Sequence, residues 1–241
     1  MWLVLCDDGD EAARWAYEGL RERGLAPLEF VLGRHLVHAP RSAHRVETGG
    51  ADFEVALPDG RTLVSGAVEG VLNRLDWAPV GDIFFATAAD TLYAREELSA
   101  LVLSWLESIV PVMVNRPSPY GLSGAWRSAA EWAVLAARAG LPVAPVRLGE
   151  DGVTGADTDV VVLGEQVFGD AGGAACPLAP ACVRLARAAG AELLGVNVRA
   201  GGGAGPRFAG ASVLPDLRIG GDTLLDALHR RLTGRPPALA A

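Results

Sequence analysis

The sequence predicts an α/β fold, with a Rossmann-like N-terminal domain of parallel strands followed by a smaller C-terminal unit of mixed strands and helices. Three observations point there. The chain opens as an apolar run, an amphipathic run and a second apolar run, the order that sets two parallel strands around a helix. Runs of strand and helix character then continue to Leu148. Past the polar, turn-rich stretch "GEDGVTGADT" (Gly149–Thr158), the order changes to ribbon, helix, strand, strand, helix.

Each element has a local reason. Trp2–Asp7 is a short apolar strand. "DDGDEAARWAYEGLRERG" is a helix whose acids suit the positive end of the helix dipole and whose stop is Gly24. Leu28–Leu32 is the second strand. "SAHRVET" follows, and in "ADFEVALPDGRTLVSG" the turn "LPDGRT" joins two alternating runs into a hairpin. "GAVEGVLNRL" is a strand. "TLYAREELSALVLSWLESI" is a helix, with apolar residues three and four apart. "VPVMVNRP" is a strand ended by Pro117. "SGAWRSAAEWAVLAARAG" is a helix capped by serine and stopped by Gly140, and "LPVAPVRL" is the next strand. Beyond the boundary, "DVVVLGEQVFGD" is a two-stranded ribbon about Gly164-Glu165. "LAPACVRLARAAG" is a helix, "AELLGVNV" and "RFAGASVL" are strands around the loop "AGGGAG", and "DTLLDALHRRL" is the closing helix. The tail "GRPPALAA" is expected to fray.

Bulk composition excludes several functions. At 241 residues, half of them hydrophobic and 21% charged, the chain can bury a core. A net charge of −8 repels phosphate backbones and anionic bilayers, so neither nucleic acid nor membrane is an expected partner. All 21 basic residues are arginine, which matches the Ala-, Gly- and Pro-rich composition of a GC-rich genome. The consequence is chemical: no Schiff-base lysine, no GK[ST] phosphate loop and no ammonium for a nucleotide phosphate. Cys6, Cys176 and Cys182 are too few and scattered for a disulfide framework, and isolated thiols are the reading adopted. The start lacks a basic signal-peptide region, and no apolar run approaches about 18 residues. A cytoplasmic location is the expectation.

Candidate sites are sparse. Asn-Arg follows an apolar run twice, at Asn73-Arg74 and Asn115-Arg116. If both strands are parallel, each pair lies at the carboxyl end of the sheet, where open α/β sheets bind ligands. Two guanidinium groups there would clamp a carboxylate or phosphate. The competing reading is that Asn turns the chain while Arg pairs with an acid such as Asp76 or Glu97. His35, His38 and His44 have too little zinc context and read as a solvated loop. Asp7-Asp8 either ligate a metal or belong to the acidic helix start. No serine lies in a GxSxG elbow. Gly201–Gly203 precede a strand rather than a helix, so they read as a flexible loop rather than a phosphate cradle. Trp105, Trp126 and Trp132 lie on expected helices and read as core.

Two stretches carry a family resemblance. "VMVNRPSPYGLSGAWRSAAEWAVLAARAGLPVAPVRL" (Val112–Leu148) resembles the ATP-grasp passage from an Asn-x-Pro strand end to "GLPvP". In Asp159–Leu232, "VVVLGEQVFG", "RLARAAGAELLGVNV" and "PDLRIGGDTLLDAL" follow in the order of the C-terminal half of RimK-like ligases. The first 110 residues, with "GVLNRL" and "YAREELSALVLSWL", are similar to the pre-ATP-grasp domain of peptide-modifying members. The resemblance implies a pre-ATP-grasp Rossmann-like domain (1–117), a helix, strand and linker (118–158), and an abbreviated ATP-grasp-like C-terminal domain (159–235) lacking the nucleotide lid. Only Gly149–Thr158 stands where the family carries its lid, too short for a strand-helix-strand unit. The family's helix lysine falls near Arg127. Its metal-binding Asp reads Asn197, and its Glu-x-Asn reads as small residues of "FAGAS", Ala209 and Ala211. Mg²⁺ prefers carboxylate oxygens.

A degenerate, non-catalytic relative is therefore expected, a binding or partner subunit in peptide or small-molecule modification. No catalytic residue, metal or cofactor is assigned. A protein or peptide is the expected partner, and apolar edges left by a lost lid favour a homodimer. The alternatives are a divergent ATP- and Mg²⁺-dependent carboxylate–amine ligase and a small-anion binder at Asn73, Arg74, Asn115, Arg116 and Arg127. The ligase reading needs Arg127 and Arg147 in place of lysines, and Glu165 or Asp216 to hold the metal.

Overall fold

The computed structural model describes residues 1–48, 50–109, 112–145, 160–169, 177–199 and 205–234. Strand β1 (Trp2–Cys6) is fully apolar and lies between β2 (Leu28–Leu32) and β6 (Gly70–Arg74), parallel to both. Helix α1 (Glu11–Glu22) makes the first crossover. Asp10 starts it by accepting the Ala13 N–H at 2.8 Å, and Gly24, at φ +82°, lets the chain leave it. Strand β7 (Met113–Val114) extends the sheet in the order β2-β1-β6-β7, all parallel as expected from the alternating runs. Residues 41–64 form a separate antiparallel sheet, β3 (Arg41–Glu47), β4 (Gly50–Ala56) and β5 (Thr62–Val64), whose β4–β5 turn is the expected "LPDGRT" hairpin.

The C-terminal half builds a four-stranded antiparallel sheet. It comprises β8 (Val160–Leu163), β9 (Gln166–Phe168), β10 (Leu193–Arg199) and β11 (Arg207–Ser212), in the order β11-β10-β8-β9. β8 and β9 are the ribbon about Gly164-Glu165, with Gly164 at φ +58° in the turn. Helices α4 (Ala129–Arg138) and α5 (Ala179–Ala189) cover one face through Val160, Val162, Leu194, Val196 and Phe208. The other face, through Val161, Leu163 and Leu193, merges with the core under the parallel sheet. Helix α6 (Gly221–Thr233) closes that core, inserting Leu224, Leu225 and Leu228 beside Val4, Ala16 and Leu72. One hydrophobic cluster therefore spans both halves.

Several elements differ from expectation for local reasons. The HxxH stretch is not a loop throughout. Gly33–Val37 form a short helix, α2, that buries Leu36, and a run of five residues is too short to show a period. His38 ends it, near Asp82 at 3.0 Å, and His44 lies on β3 near Ser104. α4 begins only at Ala129, because Ser128 and Glu131 cap it reciprocally, so Trp126 sits in the preceding loop, exposed. "LPVAPVRL" contributes a parallel bridge, Val143 to Phe208, within its described part. The lid position Gly149–Thr158, the "AGGGAG" loop up to Ala204, Cys176 and the tail lie outside the described residues. The remaining long helix, α3 (Ala88–Ser108), buries Val102, Trp105 and Leu106 in a cluster with Leu3 and Leu5 of β1, Phe53 and Val55 of β4 and Val71 of β6.

Candidate functional site

Parallel pairing of β6 with β7 aligns Val71 with Met113 and Leu72 with Val114, so the two Asn-Arg pairs follow side by side at the carboxyl edge. Their side chains join parts of the chain there. Asn73 is buried and donates to the carbonyls of Asn115 and Leu122, at 3.0 and 2.6 Å. Arg74, 3% exposed, forks onto Asp10 with Nε–Oδ2 at 2.7 Å and donates from Nη1 to the Pro215 carbonyl at 3.0 Å. Asp10, not Asp76 or Glu97, is its acid. Asn115 takes φ +58°, a conformation Asn tolerates better than most residues, and reaches into the second sheet. Its Oδ1 accepts from Glu192 N–H and Leu193 N–H, and its Nδ2 donates to Leu193 and Val213 carbonyls. Arg116 is exposed beside this junction and is itself engaged in contacts.

Next to that edge lies a carboxylate pair. Asp7 Oδ2 accepts the Asp76 N–H at 3.0 Å. Burial pushes the Asp7 carboxyl above its ordinary range, and burial does the same to Asp76. Asp8 instead pairs with Arg34 at the surface. Of the run "DDGDE", Asp10 is the residue that caps α1. The neighbouring Cys6 thiol is pushed up to about 12 by burial, with Asp10 adding to the shift, so it stays protonated.

The second candidate surface is the β10–β11 face on the Leu193 side. Asn197 stands opposite Gly210, and Gly195 opposite Ser212. With side chains alternating, Gly210 and Ser212 share the Asn197 face, while Ala211 packs into the α4/α5 core. A bulge between Asn197 and Val198 leaves Ala209 as the additional residue of β11. Asn197 is 5% exposed, and its buried Nδ2 has no hydrogen-bond partner. The Ser212 hydroxyl accepts the Leu214 N–H at 3.1 Å. None of the four strands of this sheet carries an Asp or a Glu. Among the described residues, no group of three His, Cys, Asp or Glu is placed to hold a metal ion. A donor set of neutral amide and hydroxyl groups does not fit Mg²⁺, which favours charged oxygen ligands.

Arg199, exposed, and Arg207, which donates to the Val143 carbonyl at 3.4 Å, face each other at the ends of β10 and β11, whereas other charged groups around this sheet are committed elsewhere. Arg127 donates to the Ala125 and Ala189 carbonyls, at 3.0 and 2.9 Å, capping α5 with its guanidinium 5.2 Å from the Trp132 ring. Glu165 pairs with Arg187, and Asp216 forks with Arg218 while starting the turn Leu217–Gly220. Arg147 lies outside the described residues.

The macrocyclase MdnC bound with precursor peptide MdnA, from Microcystis aeruginosa, superposes with a TM-score of 0.66 at 9% identity, over 97% of this chain and 99% of that one. The Chryseobacterium gregarium RiPP-associated ATP-grasp ligase, in complex with ADP and a leader and core peptide, gives 0.64 at 11% identity, over 98% and 97%. The chain has an ATP-grasp-like fold. The ATP-grasp ligase PsnB complexed with minimal precursor, Mg and ADP gives 0.62 at 19% identity, over 96% and 98%. No protein-family model matches the chain, and no curated protein sequence does. The ATP-grasp-like fold is thus retained at sequence identities that speak for the fold alone. No helix among the described residues is long and apolar enough to cross a membrane.

Proposed function

We propose that the chain is a non-catalytic, ATP-grasp-like binding subunit of a peptide-modifying system. One observation carries this reading: the sheet that would face a nucleotide holds no carboxylate, and Asn197, Gly210 and Ser212 occupy its Asn197 face. Phosphoryl transfer draws its rate from cations and metal ions arranged around the phosphate. Here the chain has no lysine and Arg127 is spent on backbone carbonyls, which leaves Arg199 and Arg207, at the ends of β10 and β11, without a metal beside them. The peptide half of the reading is supported by the similar ligases, three of which are described in complex with precursor or with leader and core peptides.

A ligase is the second reading. Its support is the near-complete alignment with ligases in complexes containing ADP, which extends over both halves of the chain. Screening the full chain against a synthetic peptide array, with and without ATP and Mg²⁺, separates the two. The first reading expects peptide capture that nucleotide leaves unchanged. ADP release that depends on peptide would replace it with the second. A homodimer and a cytoplasmic location belong to the same proposal. The Asn-Arg edge enters it as a joint between the two sheets, with Arg116 as its exposed cation.

A further inference from the structure

The segment 76–101 stands apart from the rest of the fold. α3 is 21 residues long, yet its buried residues, Val102, Trp105 and Leu106, all lie in its last third. Along its first two-thirds and the loop before it, Trp77, Phe84, Phe85, Leu92 and Tyr93 are each more than half exposed. At roughly 150–250 Å² per large side chain, these five together leave about 600 Å² of apolar surface uncovered within one segment. Trp77, Ala100, Leu103 and Pro119 line a cleft of about 350 Å³ alongside.

This surface is held in shape. Arg95 donates to the Ile83 carbonyl at 3.1 Å and the Gly81 carbonyl at 2.7 Å, and its guanidinium lies 4.8 Å from the Phe84 ring centroid. Thr91 Oγ1 accepts the Phe85 N–H at 2.9 Å, and Thr87 caps α3 through the Asp90 N–H. The aromatic side chains are therefore displayed on a fixed backbone, which lowers the ordering cost of binding.

Charge selects the occupant. Asp76, Asp82, Asp90, Glu96 and Glu97 are exposed along the same segment, Asp82 beside His38, and the segment's one basic residue, Arg95, is turned onto its own loop. A second copy would oppose acids with acids, whereas a basic partner complements them. We propose that this face docks a basic amphipathic helix of another polypeptide. Its apolar side chains would enter the Trp77–Leu103 cleft and lie along Phe84, Phe85 and Leu92, with its Lys or Arg over the acids. The proposal does not depend on what the β10–β11 face binds.

The test uses the full chain and two labelled helical peptides of about 18 residues, one Leu/Lys and one Leu/Glu, both with an apolar stripe at helical spacing. Fluorescence anisotropy reads binding to the wild type and to a Phe84→Ser/Phe85→Ser/Leu92→Ser variant, whose altered side chains are all exposed and whose fold is checked by circular dichroism. The expected result is binding of the Leu/Lys peptide to the wild type, at least about tenfold weaker binding to the variant, and none of the Leu/Glu peptide. Equal binding to both proteins would reduce the effect to general attraction by an acidic chain and overturn the proposal, as would no binding at all. Sedimentation showing a wild-type dimer that the variant converts to monomer would also overturn it, in favour of a second copy.

Discussion

Asn115→Ala is the substitution that separates a joint from a ligand clamp. The side chain makes four hydrogen bonds between the sheets, to Glu192 N–H and Leu193 N–H and to the carbonyls of Leu193 and Val213, at 2.8 to 3.1 Å. Removing it orphans two donors and two acceptors, three of these contacts involving the buried Leu193 or the Val213 carbonyl. At about 1 kcal/mol net per bond, and more where a group is left buried and unpaired, the loss is about 3–5 kcal/mol. Alanine at φ +58° adds roughly 1 kcal/mol of backbone strain. Asn115→Gly loses the same bonds without that strain and should be the milder change by about that amount. Urea unfolding followed by tryptophan fluorescence reads both. The expected cost is a large share of a stability of about 5–15 kcal/mol, with an unchanged slope. A cost below about 1 kcal/mol for Asn115→Ala would refute the joint and return this residue to ligand binding.

Three further outcomes follow from the same geometry. Asp10→Ala strips the buried Arg74 of its carboxylate and α1 of its cap, and should cost about 3–5 kcal/mol in the same unfolding assay, whereas Arg74→Met should cost less. Asp7 has a folded-state pKa raised above its ordinary 3.8 by burial, so its stabilising contribution is complete below that value and is lost as pH rises through the folded value. Melting temperatures from pH 3 to 7 should therefore show Asp7→Asn gaining on the wild type as pH rises, and a constant difference would contradict the shift. Cys6 and Cys182 are both buried, so iodoacetamide at pH 8 should modify neither in the folded chain and both in urea, as read by mass spectrometry.

Much of the fold was legible because its signals are local. Leu28–Leu32 and the Gly164-Glu165 ribbon follow from apolar runs bounded by turn residues, and α5 from its period and its Gly190 stop at φ +68°. The order of motifs pointed to an ATP-grasp-like shell, and the superpositions bear that out. What was illegible depends on distant contacts. Nothing near Arg74 in sequence says that Asp10, sixty-four residues earlier, is its partner. The bulge in β11 decides that Gly210 and Ser212 share the Asn197 face, and a bulge has no signature in "FAGAS" beyond its small residues. α2 leaves no signal in the sequence because one helical turn carries no period. Trp126 reads as helical in the sequence because the capping pair Ser128 and Glu131 lies inside an otherwise helical run.

The central claim is that the β10–β11 face does not support ATP and Mg²⁺ binding. Calorimetric titration of the full chain with ATP in millimolar Mg²⁺, with folding shown by circular dichroism, tests it most directly. The account predicts no detectable heat of binding, because the strands offer no carboxylate to the metal, and Arg199 and Arg207 alone do not replace metal and lysine around the phosphates. Stoichiometric binding, lost on removal of Mg²⁺, would contradict it.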